Sequence, residues 1–138
     1  MTDTKYDVLG LGNAIVDVLS RTDDAFLVRE ELAKGSMALI DEDRAENLYK
    51  AMGSTVLVSG GSAANTCAGI ASLGARTAFI GKVRNDDLGK SFGHDLVNAG
   101  VAYDTQAAVE GASTARCLIL VTPDGERTMN TFLGASQN

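Results

Sequence analysis

Tryptophan is absent from these 138 residues, proline and histidine occur once each, and cysteine occurs twice. Cys67 and Cys117 form no Cys-x-x-Cys pair, which excludes a zinc knuckle and a disulfide framework and makes a reducing cytoplasm the simplest setting. A single proline beside 15 glycines argues for tight turns and close backbone approaches rather than stiff linkers. No apolar run nears the roughly 20 residues that cross a bilayer. Met1 to Asp7 is polar and carries both charges, unlike a secretory leader. Positive charge is in deficit, with 12 Lys and Arg against 18 Asp and Glu, a net −6. Long-range repulsion argues against nucleic acid and anionic membrane as partners.

What remains is a globular composition, 45% hydrophobic and 22% charged, in a chain long enough for one sizeable core. The charge is uneven. Residues 1–53 hold 11 acids and 6 bases, whereas residues 54–138 hold 7 and 6. The second half can therefore host an anion where a local site exists.

Apolar patterning predicts strands over 6–12, 14–20, 36–40, 56–58, 77–83, 115–122 and 127–133, and helices over 23–33, 43–52, 63–73 and 87–99. Asp43 and Glu46 form an acidic variant of a capping box for the second helix. The third helix is small or apolar nearly all round and reads as buried, with Gly74 ending it. Pro123-Asp124-Gly125-Glu126 is a hairpin turn. Strand and helix alternate from Val56 onward. An α/β fold is expected, with a mostly parallel sheet flanked by helices and the hairpins forming a small antiparallel layer.

Three stretches could carry chemistry. Gly10-Leu11-Gly12-Asn13-Ala14-Ile15 follows a strand and begins like a dinucleotide fingerprint, but Ile15 stands at the third glycine position and an extended segment follows where a helix should open. A glycine turn at a strand end is the competing reading, and a nicotinamide-dependent oxidoreductase is the weakest of three functional classes. Asp17 is a lone acid among Ile15, Val16, Val18 and Leu19. Such a carboxylate is costly unless hydrogen-bonded or set in a cleft, and it offers only acceptors, which suits several hydroxyls. The alternative is the polar face of an alternating strand. Gly60-Gly61-Ser62-Ala63-Ala64-Asn65 places two glycines between a strand and a helix, so backbone and free helix N–H groups can approach a polar small molecule. A tight turn capped by Ser62 explains the same spacing.

Read together, Gly60 to Asn65, Gly74 and the run Gly81-Lys82-Val83-Arg84-Asn85-Asp86-Asp87-Leu88-Gly89 resemble the N-terminal signature of the PfkB carbohydrate kinases, the ribokinase and adenosine kinase family. Gly12-Asn13-Ala14-Ile15-Val16-Asp17 is similar to that family's opening Gly-Asn-x-x-x-Asp element, and Thr114 to Ser136 is similar to its lid and sheet strands. The wording leans toward the adenosine kinase-like branch. Cys67 and Arg84 depart from the usual signature, and neither removes a group expected to touch substrate.

The resemblance implies a ribokinase-like fold with residues 1–138 as its N-terminal substrate-binding and lid portion. It implies ATP-dependent phosphoryl transfer to a hydroxyl of a sugar or nucleoside. It implies acceptor binding by Asn13, Asp17, Gly60, Gly61 and Asn65, with Ser62 as a weaker candidate. Arg127 is carried over as a phosphate contact, against its reading as a surface hairpin arginine. ATP and Mg2+ are implied cofactors, and a homodimer through the lid is one arrangement the family allows. The catalytic aspartate, the Gly-Ala-Gly-Asp anion hole and the Asn-x-x-Glu metal motif of such kinases are not in this sequence. No catalytic residue and no metal ligand is therefore expected in this chain, and the chain alone is expected to be inactive. The alternative is a non-catalytic sugar- or nucleoside-binding module, disfavoured because the missing half should leave an exposed sheet edge and an uncovered apolar face. His94, off the apolar face of its helix, reads as a solvated residue.

Overall fold

The computed structural model describes residues 3–138, and the first two residues of the polar N-terminal stretch lie outside the described residues. In chain order the elements are β1 (Val8–Leu11), β2 (Ile15–Arg21), α1 (Asp24–Arg29), β3 (Met37–Leu39), α2 (Glu42–Ala51), β4 (Val56–Gly60), α3 (Ser62–Ser72), β5 (Thr77–Ile80), α4 (Asp87–Asn98), β6 (Val101–Ala102), β7 (Ala115–Val121), β8 (Arg127–Phe132) and a 3-10 turn, Gly134–Gln137.

Two sheets form an α/β architecture. One is parallel, in the order β1-β5-β6, and the other has five strands in the order β3-β8-β7-β2-β4. The second sheet is mixed rather than purely antiparallel. β2 runs parallel to β7 and β3 to β8, while β2–β4 and β7–β8 are antiparallel. β4 thus belongs to the lid-like sheet, although its sequence context suggested the parallel layer. No helix among the described residues is long and apolar enough to cross a membrane.

One face of the five-stranded sheet makes the core. Val16, Val18, Leu118 and Leu120 are buried there with Phe26 and Leu27 of α1 and Ala45 and Leu48 of α2. Burial of these side chains is the main force holding the helices to the sheet. The parallel sheet has its own aromatic cluster, in which Phe79, Phe92 and Tyr103 approach at 5.4–6.1 Å between ring centroids.

Several element boundaries differ from the sequence expectation for local reasons. α1 stops at Arg29, short of Ala33, because the chain leaves the helix at Glu30 and Glu31 takes a left-handed φ of 58°. α2 starts earlier than Asp43. The extended Asp41 is its N-cap and accepts from the Arg44 amide at 2.8 Å, so Asp43 and Glu46 are not a capping box. α3 is not buried all round. Ala64 and Cys67 press on the parallel sheet, while Asn65, Thr66, Gly69 and Ser72 are exposed. β6 has two residues, too few to leave a period in the sequence.

Candidate functional site

Asp17 lies on the face of the five-stranded sheet opposite the core. Its ladder partners are Val58 and Cys117, and residues two apart on a strand share a face, so Ile15 and Leu19 flank it. A Cβ on Gly60 would lie 2.6 Å from the Asp17 carboxyl carbon and from both its oxygens. The missing side chain at Gly60 is what makes room for the carboxylate. Asp17 is half-buried, and burial pushes its carboxyl pKa up from the usual value, opposed by the charge of Arg127. No protein donor hydrogen-bonds its oxygens among the described residues. Beside it, the Thr131 hydroxyl donates to Cys117 Sγ at 3.3 Å, and burial together with the Asp17 charge pushes that thiol pKa up.

Asn13 sits in the link between β1 and β2, with its side chain exposed. Gly61 has φ +96°, and a Cβ there would lie 2.5 Å from the Asn13 carbonyl. Both facts require glycine, and together they fix the Asn13 backbone against the start of α3. Gly61 itself is the N-cap of α3, with no side-chain hydrogen bond to the first turn. Ser62 is therefore the first helical residue and not the cap. The leading N–H groups of α3 carry no side-chain cap and no acid in the first turn. Ser62 and Asn65 are exposed at this same end. The structure thus gathers Asn13, Asp17, Gly60, Gly61, Ser62 and Asn65 where β2, β4 and α3 meet. Arg127 stands apart, exposed at the start of β8 on the Asp17 face and near enough to act on its charge.

Two openings adjoin this cluster. A cavity of about 860 Å³ runs along Leu19, Val56 and Val58 to Val121 and Pro123. A smaller one of about 270 Å³ lies at the ends of β1 and β5 beside Asn13, Gly81 and Ser136. The first is mostly apolar and the second mixes amide, hydroxyl and Lys82 ammonium groups.

The glycine motif at Gly10 to Ile15 is not a dinucleotide site. β1 leads into β2 rather than a helix, and both glycines serve packing of α3. A Cβ on Gly10 would lie 2.5 Å from Cys67 Sγ, and one on Gly12 would lie 2.9 Å from the Ala63 Cβ. Cys67 is buried as a core thiol, and His94 is exposed with Nε2 3.0 Å from Asn98 Nδ2. Sequence reading missed Asp86. Its carboxylate caps α4 at the Gly89 amide (2.8 Å) and accepts from the Thr114 hydroxyl (2.6 Å) and amide (2.9 Å), tying α4 to the start of β7. The signal was present, because an Asp one residue before a helix is a cap. Among the described residues no group of three His, Cys, Asp or Glu is placed to hold a metal ion.

The profile of the pfkB family carbohydrate kinases matches residues 34–138. The chain belongs to the pfkB family. This pfkB chain is similar to the crystal structure of adenosine kinase from Sinorhizobium meliloti, at 55% identity and TM-score 0.88, covering 96% of this chain and 41% of that one. It is also similar to a crystal structure titled as a probable sugar kinase protein from Rhizobium etli CFN 42, at 51% identity and TM-score 0.89, covering 97% and 41%. Adenosine kinase 2 of Arabidopsis thaliana is 27% identical over 98% of this chain and 41% of that protein. The pfkB chain thus spans about two fifths of the length of these relatives. The ribokinase-like α/β reading holds, and the neighbours are adenosine and sugar kinases, a class that uses ATP.

Proposed function

We propose that this chain is the acceptor-binding and lid portion of an ATP-dependent kinase that phosphorylates a hydroxyl of a nucleoside. The observation that carries the reading is the half-buried Asp17 carboxylate, seated over Gly60 with no protein donor, beside the uncapped N-terminus of α3. An acceptor-only group in that position is suited to neighbouring hydroxyls of a ribose ring. Ligand hydroxyls would return the hydrogen bonds that burial takes from it. Asn13 and Asn65 each donate and accept, Gly60 leaves the Asp17 carboxylate its place, and Gly61 lets the Asn13 backbone close against the start of α3. The apolar strip from Leu19 to Val58 and the cavity along it supply area for a base, which a bare sugar lacks. The relatives named adenosine kinase favour the same choice.

Arg127, across the sheet face from Asp17, is assigned to the incoming phosphates. Magnesium would supply neutralisation of phosphate charge in such a reaction, and among the described residues no group of three His, Cys, Asp or Glu is placed to hold it. The work of this chain is to bind and orient the acceptor and to exclude water beneath the five-stranded sheet. Phosphoryl transfer is largely positioning and charge stabilisation, and of the groups named in this chain Arg127 serves the charge while Asn13, Asp17 and Asn65 serve the positioning.

Calorimetry with adenosine, ribose and fructose tests the reading. Adenosine is expected to bind saturably, and Asp17→Asn to weaken it about 10- to 100-fold, the loss of a charged hydrogen bond or two. Absence of heat with all three ligands, or undiminished binding by Asp17→Asn, would overturn it. The 138-residue chain is expected to transfer no phosphate from ATP, and measurable turnover would contradict that assignment.

A further inference from the structure

Arg127 is the first residue of β8, is exposed, and has no ion pair among the described residues. A long exposed side chain without a partner is placed by its backbone alone. The backbone at that end of the β7–β8 hairpin is gripped by one short segment, Lys34-Gly35-Ser36, which leads into β3. The Gly35 amide donates to the Thr128 hydroxyl at 3.0 Å, and Thr128 is 1% exposed. The Met129 amide donates to the Ser36 carbonyl at 2.9 Å. Gly35 has φ +74°, and a Cβ there would lie 2.6 Å from Glu126 Oε1. Lys34 Nζ lies 2.6 Å from Asp124 in the turn and 2.6 Å from Asp24 of α1. Those ion pairs are exposed and contribute little, so the buried Thr128 contact and the close fit at Gly35 carry the grip. Thr128 pairs with the core residue Leu120, and side chains alternate along a strand. The segment therefore holds Glu126 and Thr128 from the core face, and Arg127 between them turns to the face that carries Asp17.

We propose that Lys34–Ser36 is a strap that sets the place of Arg127 over the Asp17 face, with Gly35 as its positioning residue. Only what Arg127 then meets, an incoming phosphate, rests on the kinase reading. Glycine is needed at position 35 for two reasons at once. The backbone takes a left-handed conformation that L side chains disfavour, and the Glu126 carboxylate occupies the space of a Cβ. A residue with a Cβ lifts the strap from the hairpin, and the backbone on either side of Arg127 loses its hold. The charge of Arg127 acts at Asp17, where it opposes the rise that burial produces in the carboxyl pKa. Asp17 therefore reports where Arg127 stands. The other titratable group facing the carboxylate is the Cys117 thiol, which burial pushes up and which stays neutral while Asp17 titrates. Arg21 lies further along β2 on the same face and is charged throughout.

Carbon-13 NMR titration of the Asp17 carboxyl in the free chain tests the strap. Arg127→Gln removes the opposing charge and is expected to raise the Asp17 pKa. Gly35→Ala is expected to raise it at least half as far without any change of charge. Thr128→Val keeps the shape of the side chain, deletes the acceptor for the Gly35 amide, and is expected to act in the same direction with circular dichroism unchanged. In the Arg127→Gln background neither strap variant is expected to move Asp17 further, an outcome that a merely structural role does not give. Three results would overturn the proposal: an Asp17 titration unmoved by Arg127→Gln, one unmoved by a folded strap variant, or equal shifts with and without Arg127. The titration needs no ligand. A chain that binds no adenosine would overturn the acceptor reading and leave the strap standing, whereas an unmoved Asp17 would overturn the strap alone.

Discussion

Gly60 and Gly61 are neighbours with different duties, and substitution separates them. A Cβ at Gly60 meets only the far end of the Asp17 side chain, at 2.6 Å, and the carboxylate can swing away. Gly60→Ala is therefore expected to keep the fold and to weaken nucleoside binding about 10-fold or more, measured by calorimetry beside a melting curve. A Cβ at Gly61 meets the Asn13 carbonyl at 2.5 Å in a backbone conformation that L-residues avoid. Gly61→Ala should cost about 3 kcal/mol by urea unfolding, through strain together with overpacking. Asp17 itself is held against stability. Its folded pKa is raised by burial, so the folded state holds the proton more tightly than the unfolded state does. The contribution is nil below the unfolded carboxylate value, turns unfavourable as pH rises through the folded value, and stays so at neutral pH. Asp17→Asn should therefore melt at or above the parent temperature at pH 7, with the gain vanishing in acid. A gain that persisted below pH 3 would refute burial as the cause.

At the scale of elements, α3 links the two sheets, running from β4 of one to β5 of the other. Its first turn closes the site, and its buried stripe rests on the parallel sheet through Cys67 against Gly10 and through the Thr77 hydroxyl, which donates to the Cys67 carbonyl at 3.2 Å. Gly10→Ala is expected to cost about 1–3 kcal/mol, and Gly10→Ala with Cys67→Ala to cost less than the sum of the two, with a coupling of about 1 kcal/mol in a double-mutant cycle. Additive effects would show that the contact is not the reason for glycine. α4 is held by a different device. Asp86→Ala removes a cap and leaves the Thr114 hydroxyl and amide without their carboxylate, so a loss of about 2–3 kcal/mol is expected in chemical unfolding. The pfkB signature around Gly81 to Gly89 thus includes structural locks.

At the scale of the whole molecule, the cluster around Asp17 sits where two layers meet, and apolar surface is left open around it. Leu9 is 59% exposed and Leu11 76%, on β1 at the edge of the parallel sheet, while Met37, Leu39 and Val56 are exposed on the lid-like sheet. Open edges and apolar faces of this kind recruit partners. The 138-residue chain is expected to self-associate with rising concentration in sedimentation velocity, and Leu11→Lys to shift it toward monomer. A monomer at all concentrations would show that these faces are too small or too curved to pair.

Much of this was legible in the residues because it is local. Asp23 and Asp86 as caps, the Pro123 to Glu126 turn, the buried faces at Phe92 and Leu96, and the glycine pair before α3 all follow from backbone preference and the period of apolar side chains. Family membership was legible from the order of its short motifs. Tertiary structure alone decided the rest, because the deciding contacts join residues far apart in the chain. It put β4 beside β2 in a mixed sheet, cleared Gly60 for Asp17 and Gly10 for Cys67, and bound Asp86 to Thr114. It also left the Asn130 Nδ2 buried without a hydrogen-bond partner among the described residues. A strand's period says which side chains share a face, but not which sheet the strand joins or what meets that face.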